Sequence, residues 1–212
     1  VNWPVAADRE SLAHAANLLR SGGVVAFPTE TYYGLAVDPF NRQALERLFR
    51  VKRRPRQLPI LVLVAGVDQL PLLTPSVPEV YHRLIDRFWP GPLTLICPAL
   101  PSLPPRLTGD TSTIGVRQSP NETAMALITA FGGPVTATSA NITGFPAAVS
   151  ATEAARMFDA EIDLILDGGT TPGGNGSTLV GIDGDGILSC IREGKIGFSA
   201  VQECAAGLTR QR

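Results

Sequence analysis

LLRSGGVVAFP, residues 18–28, changes its period in the middle, and that change decides the fold. Up to Ser21 the apolar residues keep helical spacing, with Leu12, Ala15, Ala16 and Leu19 on one face, which predicts a helix over 8–21. Gly22 and Gly23 stop it, because glycine reaches the backbone conformation that closes a helix. VVAF (24–27) then reads as a strand ending at Pro28. Further along, residues 41–53 restore the helical period with Leu45, Leu48 and Phe49 behind Asn41 as the cap. ILVLV (60–64) reads as a strand buried on both faces. LTLIC (93–97), TIGVR (113–117), PVTAT (134–138) and IDLIL (162–166) are also strand-like. Capping boxes at Ser76–Glu79, Ser119–Glu122 and Ser150–Glu153 mark helix starts, the second with Pro120 as its first helical residue. TLVGI and ILSCIRE flank DGDG, which predicts a terminal hairpin. Helices alternating with short strands predict an α/β fold in two or three layers, its sheet mixed because of the terminal hairpin, in a single domain over residues 1–212. PALPSLPPRL (98–107) is a stiff excursion within it.

With 44% hydrophobic and 17% charged residues among 212, the chain has the composition of a globular protein. Its net charge of −1 excludes a polycation built to coat nucleic acid. The longest apolar run, LPILVLVAGV (58–67), is too short to span a bilayer. The N-terminus has no basic start followed by an apolar stretch, so no signal peptide is expected. Cys97, Cys190 and Cys204 are odd in number and form no CxxC pair, which excludes a disulfide scaffold and argues against a structural zinc site. Cys97 and Cys190, inside apolar runs, read as buried. His14 and His82 are too few for a histidine-rich metal site, and the chain reads as reduced and cytoplasmic.

Positive charge concentrates between Arg42 and Arg56, where seven basic residues face one acid, Glu46. A solvated helix end explains this, since late cations favour the helix dipole. A polyanion site explains it too, with Pro55 ending the helix so that side chains project from a loop. FPTETYYGLAVDP (27–39) and PVTATSANITG (134–144) each run from a strand into hydroxyls, amides and a glycine. Such segments either bond their own backbone or cradle a ligand. GGTTPGGNGST (168–178), with five glycines in eleven residues, is a flexible loop or a phosphate loop. It matches neither a P-loop nor a dinucleotide fingerprint, and no nucleophile–base set is visible. Cations, hydroxyls and glycine loops without a nucleophile point to phosphate binding and to phosphoryl or nucleotidyl chemistry.

GGVVAFPTETYYGLAVDP (22–39), VKRRPRQLPILVLV (51–64), FWPGPLTLI (88–96), TIGVRQSP (113–120), VTATSANITG (135–144), GSTLVGI (176–182) and IREGKI (191–196) together resemble the YrdC/Sua5 family of threonylcarbamoyl-AMP synthases. The resemblance implies an α/β fold, a twisted mixed open sheet with flanking helices around a basic concave cavity, and a nucleotidyltransferase reaction: ATP, L-threonine and bicarbonate give threonylcarbamoyl-AMP and pyrophosphate. The product serves N6-threonylcarbamoyl modification of adenosine beside the tRNA anticodon. A tRNA threonylcarbamoyltransferase complex is the implied partner, with weak RNA binding and no membrane contact. By position in the motifs, Lys52 and Arg54 match the catalytic phosphate-binding pair, with Mg2+ accompanying ATP. Thr31, Tyr33, Arg117, Ala137 and Ser177 match the threonine side. Thr113, Ser139, Asn141 and Arg192 match the nucleotide side.

Two positions depart from the family pattern. Leu58 replaces a usual polar ATP contact, and Leu63 stands where a histidine sometimes lies near threonine. Longer relatives carry a further C-terminal domain, so a chain ending at Arg212 reads as the short form. Two other functions compete with the synthase: a module that binds RNA or nucleotide without chemistry, and a carbamoyl-transfer domain like those of hydrogenase maturation proteins.

Overall fold

A computed structural model describes residues 4–207 of the chain. Among them the order is β1 (Val5–Ala6), α1 (Arg9–Arg20), β2 (Val25–Pro28), β3 (Tyr33–Ala36), α2 (Arg42–Lys52), β4 (Val62–Leu63), α3 (Glu79–Phe88), β5 (Leu93–Pro98), α4 (Pro105–Thr108), β6 (Thr113–Arg117), α5 (Glu122–Phe131), β7 (Val135–Thr136), β8 (Thr138–Ser139), α6 (Ala151–Phe158), β9 (Leu164–Asp167), β10 (Thr178–Ile182), β11 (Leu188–Arg192) and α7 (Phe198–Ala205). The strands form two open mixed sheets, ordered β1-β9-β2-β3-β8 and β11-β10-β5-β6-β4-β7.

One segment stitches the sheets together. PVTAT, expected as a single strand, is two short ones: β7 pairs with β4 in the larger sheet, and β8 pairs with β3 in the smaller. Ala137 is the crossing point, its N–H donated to Leu61 O at 2.9 Å. ILVLV also pairs over less of its length than expected, because Ile60 N donates to Leu107 O and Val64 N to Arg117 O outside the strand.

Strand alternation feeds two apolar clusters, because successive side chains leave opposite faces. Val24 and Ala26 enter the larger cluster while Val25 and Phe27 enter the smaller. Val62 and Leu63 divide in the same way, so this run is buried on both faces as its composition predicts. α2, α3 and α6 cover the larger cluster with residues such as Leu45, Leu48, Tyr81, Leu84 and Phe158. α1 and α5 cover the smaller, through Ala15, Leu19, Leu127 and Ile128.

Helix starts separate true caps from lookalikes. Asn41 caps α2, its side chain accepting from Gln43 N and Ala44 N. Ser150 caps α6 and accepts from Glu153 N at 3.2 Å, while the Glu153 carboxylate accepts from Val149 N at 2.9 Å. The other two boxes are corrected by the structure. α3 starts after Pro78 with no side-chain cap, so Ser76 stands two residues too early. α5 is capped by Asn121, and the Ser119 hydroxyl donates instead to Glu30. Pro120 therefore precedes the helix. Ser150→Ala is expected to lower the unfolding free energy by about 1 kcal/mol in urea titrations, whereas Ser76→Ala changes it by less than about 0.5 kcal/mol.

The terminal hairpin forms as expected, with Ile182 opposite Leu188. Its turn is closed by Asp183 Oδ1, which accepts from Asp185 N and Ile187 N. Cys97 is buried, but Cys190 is exposed because β11 is the edge strand of its sheet. No helix among the described residues is long and apolar enough to cross a membrane. The expectation about the N-terminus partly concerns residues 1–3, which lie outside the described residues.

Candidate functional site

A cavity of about 380 Å³ opens between the two sheets. Thr29, Thr31 and Tyr33 line it from the β2–β3 connection and β3, and Thr94, Gly115 and Arg117 from β5 and β6. Ala137 and Ser139 line it from the crossing segment, and Gly174–Ser177 together with Arg192 complete the wall. The crossing of PVTAT from one sheet to the other thus places the TSAN loop at the cavity.

Arg117 ends β6 and is nearly enclosed, its side chain 5% exposed. Its guanidinium makes no hydrogen bond among the described residues, and its buried Nε has only an ion-pair contact, with Glu30 Oε1 at 3.3 Å. Burial lowers the basicity of the guanidinium; Glu30 acts against that lowering and Arg192 adds to it. Arginine stays protonated through such shifts. The result is a buried, charged fork with free donors at the cavity, a geometry suited to a carboxylate.

Further cations border the same space. α2 stops at Lys52 because Arg53 takes a left-handed conformation (φ 50°) and Arg54 N returns to Phe49 O. Pro55 favours that stop, since a residue before proline avoids the helical region. The turn brings Arg54 to the cavity, where its guanidinium also donates to Pro59 O at 2.7 Å. Arg192 Nη2 donates to Ser177 O at 2.9 Å. Burial lowers the basicity of both arginines.

Lys52 sits differently. It is 1% exposed and lies off the cavity wall. Its ammonium donates to Ser139 O, to Asn141 O at 2.8 Å and to Asn141 Oδ1 at 3.3 Å. Burial, reinforced by the nearby Arg54 charge, pulls its pKa down to about 7. Asn141 also lies off the wall: its Oδ1 accepts from Ser139 Oγ at 2.6 Å and its Nδ2 donates to Phe145 O at 2.7 Å. Lys52 and Asn141 therefore brace the loop that presents Ser139.

Of the other sequence-predicted residues, Thr31, Tyr33, Ala137, Ser139 and Ser177 meet at the cavity, and Thr113 does not. The Thr113 hydroxyl lies 2.8 Å from that of Thr111, at the far end of β6. Tyr33 turns its hydroxyl away, donating to Gly169 O at 2.7 Å, and burial pushes its pKa up to about 12. Ser177 Oγ accepts from Thr94 Oγ1 at 2.9 Å. Leu58 is 42% exposed, and its carbonyl accepts from Arg54 Nε at 3.4 Å. Leu63 is fully buried in the smaller cluster, so it contributes packing alone.

The family model described as telomere recombination, Sua5/YciO/YrdC, matches residues 17–194. The chain belongs to this family. It is similar to the threonylcarbamoyl-AMP synthase of Pyrococcus abyssi, 42% identical over 166 residues, which are 78% of this chain and 49% of that protein. The threonylcarbamoyl-AMP synthase of Bacillus subtilis is 42% identical over 186 residues, 87% of this chain and 54% of that protein. The chain thus spans about half the length of these two curated relatives. The crystal structure of P. abyssi Sua5 complexed with L-threonine superposes with a TM-score of 0.89 at 35% identity, covering 96% of this chain and 60% of that one.

Within the Sua5/YciO/YrdC fold of this chain, three contributors stand outside the residues singled out from the motifs. Tyr32 OH donates to Gly174 O, and Gly173 N to Thr31 O at 2.6 Å, drawing the glycine loop onto the PTET segment. Lys195 Nζ donates to Glu30 O at 2.8 Å across the same junction. Glu30 lies against Arg117. All three were within quoted motifs, PTETYYG and IREGKI, but their spacing alone shows no partner.

Proposed function

We propose that this cavity makes threonylcarbamoyl-AMP and pyrophosphate from ATP, L-threonine and bicarbonate. The observation that carries the reading is the buried Arg117 fork with free donors, set in one cavity with Arg54 and Arg192. The relatives named threonylcarbamoyl-AMP synthase, and the threonine complex of a structural neighbour, support the same choice.

The amino-acid carboxylate pairs with the Arg117 fork, leaving the neutral amine free to add to CO2 formed from bicarbonate and a proton with loss of water; the amine nitrogen then gives up a proton to solvent and becomes a carbamate. A carbamate oxygen then bonds to the α-phosphorus as the bond to the pyrophosphate bridging oxygen breaks. Negative charge grows on the phosphate oxygens and the leaving group, and Arg54 and Arg192 face it. Lys52 acts on the phosphate side through the Ser139 loop that it braces, and Asn141 shares that task. Thr31, Tyr33, Ala137 and Ser177 enclose the threonine side. No side chain forms a covalent intermediate.

Among the described residues no three His, Cys, Asp or Glu side chains converge to hold a metal ion. Magnesium in nucleotide sites is held largely by phosphates and water. Mg2+ would therefore enter with ATP and offset triphosphate charge, with no carboxylate cage for it among the described residues. The product is expected to pass to a tRNA threonylcarbamoyltransferase complex in the cytoplasm.

The test is to incubate pure protein with ATP, bicarbonate and L-threonine, following pyrophosphate release and product mass. Pyrophosphate release that requires threonine, with a threonylcarbamoyl-AMP mass, is the expected result. ATP binding without threonine-dependent release would replace the synthase with a nucleotide-binding module.

A further inference from the structure

We propose that Glu30 is a positioning residue for the amino-acid carboxylate, holding the Arg117 guanidinium so that its free donors face the cavity. The proposal rests on the reading of the cavity given above. Thr29 and Thr31 both line the cavity, but Glu30 between them does not. Its side chain is 10% exposed and turns towards Arg117, with Oε1 3.3 Å from Arg117 Nε. The other oxygen, Oε2, accepts from the Ser119 hydroxyl at 2.5 Å. Ser119 is fully buried, and its Oγ accepts from the backbone N–H of Asn121, the cap of α5. From the main-chain side, Lys195 Nζ holds the Glu30 carbonyl at 2.8 Å. A continuous chain of contacts therefore runs from the α5 N-terminus through Ser119 and Glu30 to Arg117.

The form of the Glu30–Arg117 contact gives the device its use. A two-pronged carboxylate–guanidinium pairing would occupy two donors and leave fewer for a ligand. Here Glu30 Oε1 and Arg117 Nε are both buried without a hydrogen bond, although they lie in ion-pair range. The contact is a charge contact at the Nε edge. It offsets the guanidinium charge and leaves the remaining donors unengaged by Glu30. Glu30 cannot serve as the base for the substrate amine, because one oxygen is held by Ser119 and its side chain does not reach the cavity wall. Ser119, spaced from Glu122 like a capping serine, serves this carboxylate instead.

Threonine-dependent pyrophosphate release, with threonine and ATP varied separately, tests the proposal. Glu30→Gln keeps the shape and removes the charge. It is expected to raise the threonine KM by about ten-fold, with kcat and the ATP KM within about two-fold. Ser119→Ala leaves both charges in place and loosens the clamp, so the threonine KM is expected to rise by about three-fold with the ATP KM unchanged, while the melting temperature falls because Glu30 Oε2 and Asn121 N lose their partner. In an Arg117→Lys background, Glu30→Gln is expected to add less than about two-fold, because its effect passes through the guanidinium fork. Equal shifts in both KM values, or a full Glu30→Gln penalty in the Arg117→Lys background, would overturn the proposal. An unchanged threonine KM in Glu30→Gln would remove this proposal alone. A wild-type protein with no threonine-dependent turnover would remove the reading of the cavity, and this proposal with it.

Discussion

Arg117→Ala is expected to raise the threonine KM by about two orders of magnitude while leaving the ATP KM within about three-fold. Truncating one partner of a buried charge pair costs about 2–5 kcal/mol, and about 2.7 kcal/mol corresponds to a hundred-fold change. Arg117 belongs in that class because its side chain is 5% exposed and sits at the inner end of β6. Stability falls as well, since the variant leaves the Glu30 carboxylate buried without its ion-pair partner; breaking such a pair costs about 3–5 kcal/mol. Adding Glu30→Gln to Arg117→Ala removes the stranded charge, so part of the melting temperature should return while the threonine KM stays high. Initial rates of pyrophosphate release and a thermal melt read the two effects separately. An Arg117→Ala enzyme whose ATP KM moves with its threonine KM would place the guanidinium on the nucleotide instead.

The selective effect expected at Arg117 follows from how the cavity is built. Arg54 arrives from a helix end and Arg192 from an edge strand, whereas Arg117 comes from within the larger sheet. Alternation of apolar residues made the strands legible, because VVAF and ILVLV distribute their side chains between two clusters. The passage of PVTAT from sheet to sheet was not legible, since a two-residue strand has the same composition as the middle of a longer one. Ser119 shows the same limit. Its spacing to Glu122 fits a capping box, but its hydroxyl serves Glu30, 89 positions away in sequence. Periodicity reports local neighbours, and much of this site is made of distant ones: Tyr32 meets Gly174 across 142 positions. Cys190 was misplaced for a related reason, because apolar neighbours in sequence cannot reveal that β11 has no strand beyond it. The motif resemblance supplied what periodicity could not, bringing distant segments to one cavity, though it could not show that Lys52 faces carbonyl oxygens.

Lys52→Met is expected to lower both turnover and stability, with a stability deficit that grows with pH. Turnover is expected to fall by about a hundred-fold, because the variant frees the loop that carries Ser139 while Arg54 stays in place. The three oxygens that Lys52 holds, Ser139 O, Asn141 O and Asn141 Oδ1, lose their donor. An acceptor stranded in the interior costs about 1–3 kcal/mol. The pH dependence comes from the Lys52 proton, held at about 7 in the folded protein by burial and by Arg54. An unfolded lysine titrates near 10.4, so between about pH 7 and 10 the unfolded chain binds a proton that the native protein has released. Stability from this group therefore rises with pH across that window, and below about pH 7 the full cost of burying the ammonium is present. From pH 7 to pH 9 wild type is expected to gain on the order of 2 kcal/mol relative to Lys52→Met. Urea unfolding of both proteins at the two pH values measures the difference directly. A constant difference would mean that the three carbonyl oxygens hold the ammonium charged throughout, making the brace an ionic one at every working pH.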